Sequence, residues 1–332
     1  MGKYLKLFNQ DAEYHLFKES EEYILPNVSF IVESNSIAYN PFTETKSGVI
    51  MARYNATEDN NRVVSDISNI KSLKINGENV VFDWDYCFSE IGEYDVEIEL
   101  IDTTFIESET FYGTCLTSIN IPDSVTTIGS DAFGDCTSLP VEDNIRYADT
   151  YLVGAVDKSL STYTIKEGTK WIGEAAFYGC SSLTSIVIPD SVTSIGHMAF
   201  CECKGLTGEL VIPDSVTTIG NTTFYGCSGL TSIVIPNSVT SIGNQAFDNC
   251  SGLTSVEIGS GVTSIETSAF SYCSGLTSIT CNAIIAPSIT FNTFYGVKEG
   301  GVLKVPAGSD YSSWMSTNDY YLGKYNWTIE YI

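Results

Sequence analysis

Phe177-Tyr178-Gly179-Cys180-Ser181-Ser182-Leu183-Thr184-Ser185-Ile186-Val187-Ile188-Pro189-Asp190-Ser191-Val192-Thr193-Ser194-Ile195-Gly196 is a phrase this chain says over and over. Its leading phenylalanine returns at Phe200, Phe224, Phe247, Phe270 and Phe294, every 23 or 24 residues. Self-similarity at that period marks a solenoid in the range of leucine-rich repeats. Within the phrase, Ile186 and Ile188 alternate and share one face of a short strand. Pro189 ends that strand because it lacks the amide a ladder needs, and Asp190-Ser191 suits the turn after it. Ala199-Phe200 follows on a short helical or irregular turn, and Cys203 closes the unit. One such unit buries too little apolar surface to offset the entropy of ordering it, so the units must stack and both ends need caps.

Working outward, Phe111 opens a rung that is one residue short, and 44 residues separate Phe133 from Phe177 where 23 are expected. The extra segment, Asn144 through Ile165, reads as a degenerate rung with a hairpin built in, and Leu206-Thr207-Gly208-Glu209-Leu210 as carrying a single inserted residue that makes a bulge. Upstream, Ile70 to Ile75, an Asn76-Gly77 turn, Val80 to Phe82 and the alternating Tyr94, Val96, Ile98 and Leu100 predict a small sheet with one buried face, suited to cover the first rung. Asn55 to Arg62 reads as a polar linker. Before it, residues 3–8 read as a strand, Asp11 to Ser20 as a short helix, and Val28 to Val32 with Ile37 to Tyr39 as a hairpin. Downstream, Val302 to Pro306 and the aromatics Trp314, Tyr320, Tyr321, Tyr325 and Trp327 predict a lid over the last rung. The expected architecture is a mainly β solenoid, a leucine-rich-repeat stack of ~23-residue rungs at residues 105–296. A βαββ attachment module (1–55) and a small β cap domain (56–104) precede it, and a C-terminal cap (297–332) follows.

The 332 residues carry 41 acidic and 16 basic side chains, a net charge of −25. Such an excess argues against nucleic-acid backbones and anionic membranes as partners. No apolar run approaches membrane-spanning length. With Met1 as the start, the opening residues lack an apolar core followed by a small-residue cleavage site, which predicts no secretory signal. Of ten cysteines, Cys136, Cys180, Cys203, Cys227, Cys250 and Cys273 each lie three residues after a phenylalanine, a packing slot that predicts buried thiols, with bridging between rungs an open alternative.

Chemistry is sparse. His15 and His197 are the two histidines, His197 sits in a variable slot that predicts an exposed filler, and no Ser/His/Asp arrangement assembles. Cys201-x-Cys203 is too short for a zinc or redox motif, and Asp83-Trp84-Asp85 is too thin for a calcium loop. The expectation is no enzyme activity, no cofactor and no metal. What remains is surface. Outward strand positions Ser118/Asn120, Ser185/Val187, Ser232/Val234, Ser255/Glu257 and Ser278/Thr280 predict a flat, hydroxyl-rich face. Tyr178, Glu202, Tyr225, Asp248, Tyr272 and Tyr295 predict a second, aromatic face on the opposite turns.

The phrase Ala-Phe-x-x-Cys-x-x-Leu-Thr-Ser-Ile-x-Ile-Pro-x-Ser-Val-Thr-Ser-Ile-Gly, carried with small changes from Ala246 and in its neighbours, closely resembles BspA-like leucine-rich repeats. The resemblance spans about residues 105–296 and implies a leucine-rich-repeat fold and a role at bacterial surfaces, binding host proteins or neighbouring cells. Tyr4-Leu5-Lys6-Leu7-Phe8 with Leu25-Pro26-Asn27-Val28-Ser29 is similar to leaders on phage structural proteins of gut Bacteroides-type bacteria. Together these imply a virion component, a fibre or decoration protein, held to other virion proteins through residues 1–55 and displaying its repeats to a protein or glycan on a cell surface. A bacterial cell-surface adhesin is the alternative, and homo-oligomer formation stays open.

Overall fold

The computed structural model describes residues 4–7, 15–18 and 48–332 apart from 59 and 82–85. The chain divides into a unit ending at Asn40 and a larger one from Pro41 onward.

In the first unit, Tyr4–Leu7 and His15–Lys18 form an antiparallel pair with Tyr4 opposite Lys18 and Leu7 opposite His15. This corrects the helix expected across Asp11 to Ser20. A ten-residue helix with little to pack on is marginal, whereas a ladder gives both segments backbone partners. The expected hairpin at Val28 to Tyr39 lies outside the described residues.

The larger unit is a β-solenoid of about ten turns. From Gly208 to Ser288 each rung contributes one strand to each of two sheets whose rungs pair in parallel. The longer strands form a six-stranded sheet through Gly208–Val211, Leu230–Ile235, Ser255–Ile258, Ser278–Cys281, Val302–Val305 and Thr328–Tyr331. Two-residue strands, from Trp171–Ile172 through Ser194–Ile195 to Ser288–Ile289, form the opposite sheet. Inward residues recur at every level: Ile233, Val256, Ile279 and Leu303 are each no more than 1–2 % exposed.

The repeated phenylalanines form one continuous column. Adjacent rings from Phe177 to Phe270 lie 5.1–5.4 Å apart with planes within 8°. The cysteine slot runs beside it. Each Sγ donates to the phenylalanine carbonyl of the rung before, Cys203 to Phe177, Cys227 to Phe200, Cys250 to Phe224 and Cys273 to Phe247, at 3.1–3.2 Å. Among the described residues no cysteine pair is bridged, and burial pushes the thiols of this column up from their ordinary range. At one corner a threonine ladder fastens successive rungs: Thr207 Oγ1 donates to the Thr184 carbonyl, Thr254 to Thr231 and Thr277 to Thr254.

The sheet ahead of the repeats is not a separate domain. Val49–Ala56 pairs on one side with Gly92–Leu100 and on the other with Leu116–Asn120, the strand of the first rung. The boundary drawn at residue 55 therefore falls inside a strand, and the expected linker from Asn55 begins within it. Ile50, Ala52, Tyr54, Val96 and Ile98 share one core with Phe111 and Phe133, which is the covering role the alternation implied. The Asn76-Gly77 turn is as expected, both residues having positive φ.

The insertion after Phe133 is a hairpin, Ile145–Ala148 against Tyr151–Ala155, turned at Asp149. Gly208, at φ +78°, borders a register shift in its strand pair, where Gly208 and Glu209 face Leu230 and Ser232 and Thr231 is passed over. At the far end the aromatic tail closes the stack. Trp314 packs 5.2 Å from Phe294 and donates from Nε1 to the Pro287 carbonyl, while the Tyr311 hydroxyl donates to the Ala283 carbonyl.

Candidate binding faces of the stack

Because successive side chains of a strand point to opposite faces, every inward core residue leaves two neighbours outside. On the six-stranded sheet these make two rows. One runs Glu209, Ser232, Ser255, Ser278, Val302, Thr328, and the other Val211, Val234, Glu257, Thr280, Lys304, Glu330. Ser232, Val234, Ser255 and Glu257 thus stand together as expected. Ser185 and Val187 do not share that ladder, because their strand pairs with Thr162–Thr164 in a separate two-stranded sheet. Val187 is 81 % exposed and Val211 60 %. The second row therefore runs from valines at its N-terminal side to charged residues at its C-terminal side, the first row opens on Glu209, and the face is not uniformly hydroxylated.

The opposite turns follow a stricter rule. In each rung the residue two before the phenylalanine and the residue two after it are left-handed. The first series is Ala175, Met198, Thr222, Gln245, Ser268 and Asn292, and the second is Gly179, Glu202, Gly226, Asn249, Tyr272 and Gly296, all with φ between +50° and +75°. Left-handed backbone costs a non-glycine residue about 1–2 kcal/mol. Stacking carries that cost, since the turn amides bond to the next rung, as Phe200 N–H does to Thr223 O and Glu202 N–H to Tyr225 O.

This rule separates tyrosines that look alike in the sequence. Tyr178 and Tyr225 directly follow their phenylalanines, whereas Tyr272 follows by two and is held left-handed. Tyr272 packs edge-on against Tyr295, at 5.3 Å and 86°, away from the other two. Tyr178 and Tyr225 instead flank a groove of about 800 Å³ whose lining includes Met198, Cys201, Glu202 and Lys204. Glu202 and Lys204 form an ion pair at 2.6 Å. His197 also lines the groove, with Nδ1 2.8 Å from the Asn221 carbonyl and 3.1 Å from Thr222 Oγ1. It is half-buried, where an exposed filler was expected. Burial pushes the Cys201 thiol up to about 11, which keeps it protonated at neutral pH. Asp248, expected on this face, is instead buried, and burial pushes its carboxyl up from the ordinary range.

Sequence reasoning had no signal for His197, Met198 or Cys201 as groove residues. Their grouping depends on left-handed turns set by stacking. Among the described residues no cluster of three or more His, Cys, Asp or Glu side chains is placed to hold a metal ion. No helix among them is long and apolar enough to cross a membrane.

Comparison with known proteins gives one family and several structures. The family model described as "BspA type Leucine rich repeat region" matches residues 104–228 and 206–299. No curated protein is similar at a significant level. Among solved structures, a leucine-rich-repeat protein of T. pallidum is 28 % identical with a TM-score of 0.40, over 47 % of this chain and 76 % of that one. The pneumococcal vaccine antigen PcpA is 22 % identical with a TM-score of 0.42, over 63 % of this chain and 55 % of that one. A leucine-rich-repeat protein from Bacteroides ovatus is 23 % identical with a TM-score of 0.36, over 69 % and 66 %. With its rungs, thiol slot and phenylalanine column in the matched region, this chain belongs to the BspA-type leucine-rich-repeat family.

Proposed function

We propose that this chain is a non-enzymatic adhesion protein that uses the outer faces of its stack to hold a protein or glycan on a cell surface. The observation that carries the reading is where the rungs differ. Inward positions repeat nearly the same residue at each level, while the outward row changes through Val211, Val234, Glu257, Thr280, Lys304 and Glu330. Solenoids offer such extended faces to partners.

The finer placement is on a phage particle, as a fibre or decoration protein. It rests on the leader and its likeness to phage structural proteins, with residues 1–55 contacting other virion proteins and self-association open. The alternative placement is a bacterial cell surface.

Two measurements test these readings. Labelled full-length protein should bind intact gut bacteria or mucus-coated surfaces, and Val187→Glu with Val211→Glu should weaken that binding without shifting the unfolding midpoint. Equal retention of both forms by uncoated plastic would defeat the adhesion reading. Mass spectrometry of purified phage particles should detect the chain. Its presence only in the membrane fraction of uninfected cells would transfer it to the alternative.

A further inference from the structure

The groove between Tyr178 and Tyr225 is a gap in an aromatic column. At the position after each phenylalanine, three successive rungs carry Tyr178, Cys201 and Tyr225. The phenylalanine rings of those rungs are spaced 5.1 Å and then 5.4 Å. The two tyrosine rungs therefore stand two steps apart with a small, buried side chain between them. Their outer contacts lead away from the gap. Lys158 Nζ lies 5.6 Å from the Tyr178 ring centre on the preceding side, and Asn249 Nδ2 donates to the Tyr225 hydroxyl from the following side.

A ring lying midway would sit about 5 Å from each tyrosine, inside the roughly 4.5–7 Å range of ring contacts. The volume of about 800 Å³ is that of a small-molecule site. Around this slot stand Glu202, Lys204, His197 and Gln245, which offer both donors and acceptors. An aromatic side chain has too few polar atoms at its edge to engage them, and groups covered without partners cost free energy. Glu202 and Lys204 neutralise each other, so the slot favours neither anion nor cation.

From this we infer that the slot over Cys201 binds a neutral pyranose, its C–H faces against Tyr178 and Tyr225 and its hydroxyls to the polar rim. The inference rests on the adhesion reading and narrows its ligand to an uncharged glycan.

The test uses the full chain with neutral glucan, mannan and galactan oligosaccharides, followed by saturation-transfer NMR and calorimetry. At least one should bind, and Tyr178→Ala and Tyr225→Ala should each raise its Kd roughly tenfold. Cys201→Tyr installs the residue that both adjacent rungs carry, fills the slot, and should abolish saccharide binding while leaving the unfolding midpoint in place. The inference is overturned if no neutral saccharide binds, if Cys201→Tyr binds as well as the parent, or if a tyrosine- or tryptophan-containing peptide binds there and saccharides do not. Cell binding retained by Cys201→Tyr alongside unaltered saccharide binding would remove the slot and leave adhesion standing. Loss of cell binding by the parent protein would remove adhesion itself.

Discussion

Two stretches of the solenoid are built from similar parts and behave differently. From Phe177 to Phe270 the rungs are near copies, and their rings lie almost parallel. Between Phe133 and Phe177 the hairpin interrupts the copying, and tyrosines take over the column. Tyr151 meets Phe133 at 5.2 Å but tilted by 53°, and Tyr163 meets Phe177 at 5.2 Å tilted by 59°. The apolar core divides at the same place. Tyr151 and Trp171 pack with the N-terminal cluster, while Tyr147 and Tyr163 pack with the uniform stack. Identical neighbours transmit packing from rung to rung, and a substituted joint is where transmission stops. In a structure whose stability is a sum over neighbours, such a joint divides one cooperative unit into two.

The strongest way to break this contrast is to remove one ring on each side of the joint. Phe224→Ala should cost about 3–5 kcal/mol, as truncating a fully buried phenylalanine does. Hydrogen exchange should then accelerate from Gly208–Val211 to Val302–Val305, with the amides of Val49–Ala56 and Gly92–Leu100 unaffected. Phe133→Ala should give the reverse pattern. Uniform acceleration in both variants would show a single cooperative unit.

A smaller effect should come from the joint's own turn. Asp149 Oδ2 accepts from the Ile121 amide at 2.9 Å, and burial pushes its carboxyl above the usual range despite Lys166 and Lys170 nearby. The folded chain therefore holds this proton more tightly than the unfolded chain. Its contribution is fully present below the ordinary aspartate range and is lost as pH rises from there through the folded value. Asp149→Asn should raise stability at neutral pH and flatten that part of the pH profile, read as urea midpoints between pH 3 and 7. A steeper profile in the variant would contradict the sign.

The finest adjustment concerns the left-handed turns. Ala175 has φ +51° where Asn292 occupies the equivalent turn. Asparagine tolerates that region better than alanine, so Ala175→Asn should gain up to about 1 kcal/mol, visible as a raised Tm. A drop would mean that the turn is not where the strain lies.

Much of this was legible in the residues. The pitch, the inward positions, the inserted hairpin, the irregularity near Leu206 to Leu210 and the lid over Phe294 all follow from where Phe, Cys, Leu and Pro recur or fail to. The leader misled because Asp11 to Ser20 carries a local helical pattern, and pairing with Tyr4–Leu7 overrides it. The aromatic face was only half legible. Tyr178 and Tyr272 differ by one place after the phenylalanine, and a left-handed turn converts that step into a different direction. Nothing local to Cys201 announces that its smallness matters, because the rings on either side come from other rungs.

The threonine ladder has a direction. Thr207, Thr254 and Thr277 each reach back toward the N-terminus, and Thr254 offers its own carbonyl to Thr277 in turn. A segment copied in frame thus arrives with its own fastener at one end and a socket at the other, and the links around it need no alteration to accept it. Such a chain inherits its length in whole links, and its reach can change between generations without its weave being redesigned.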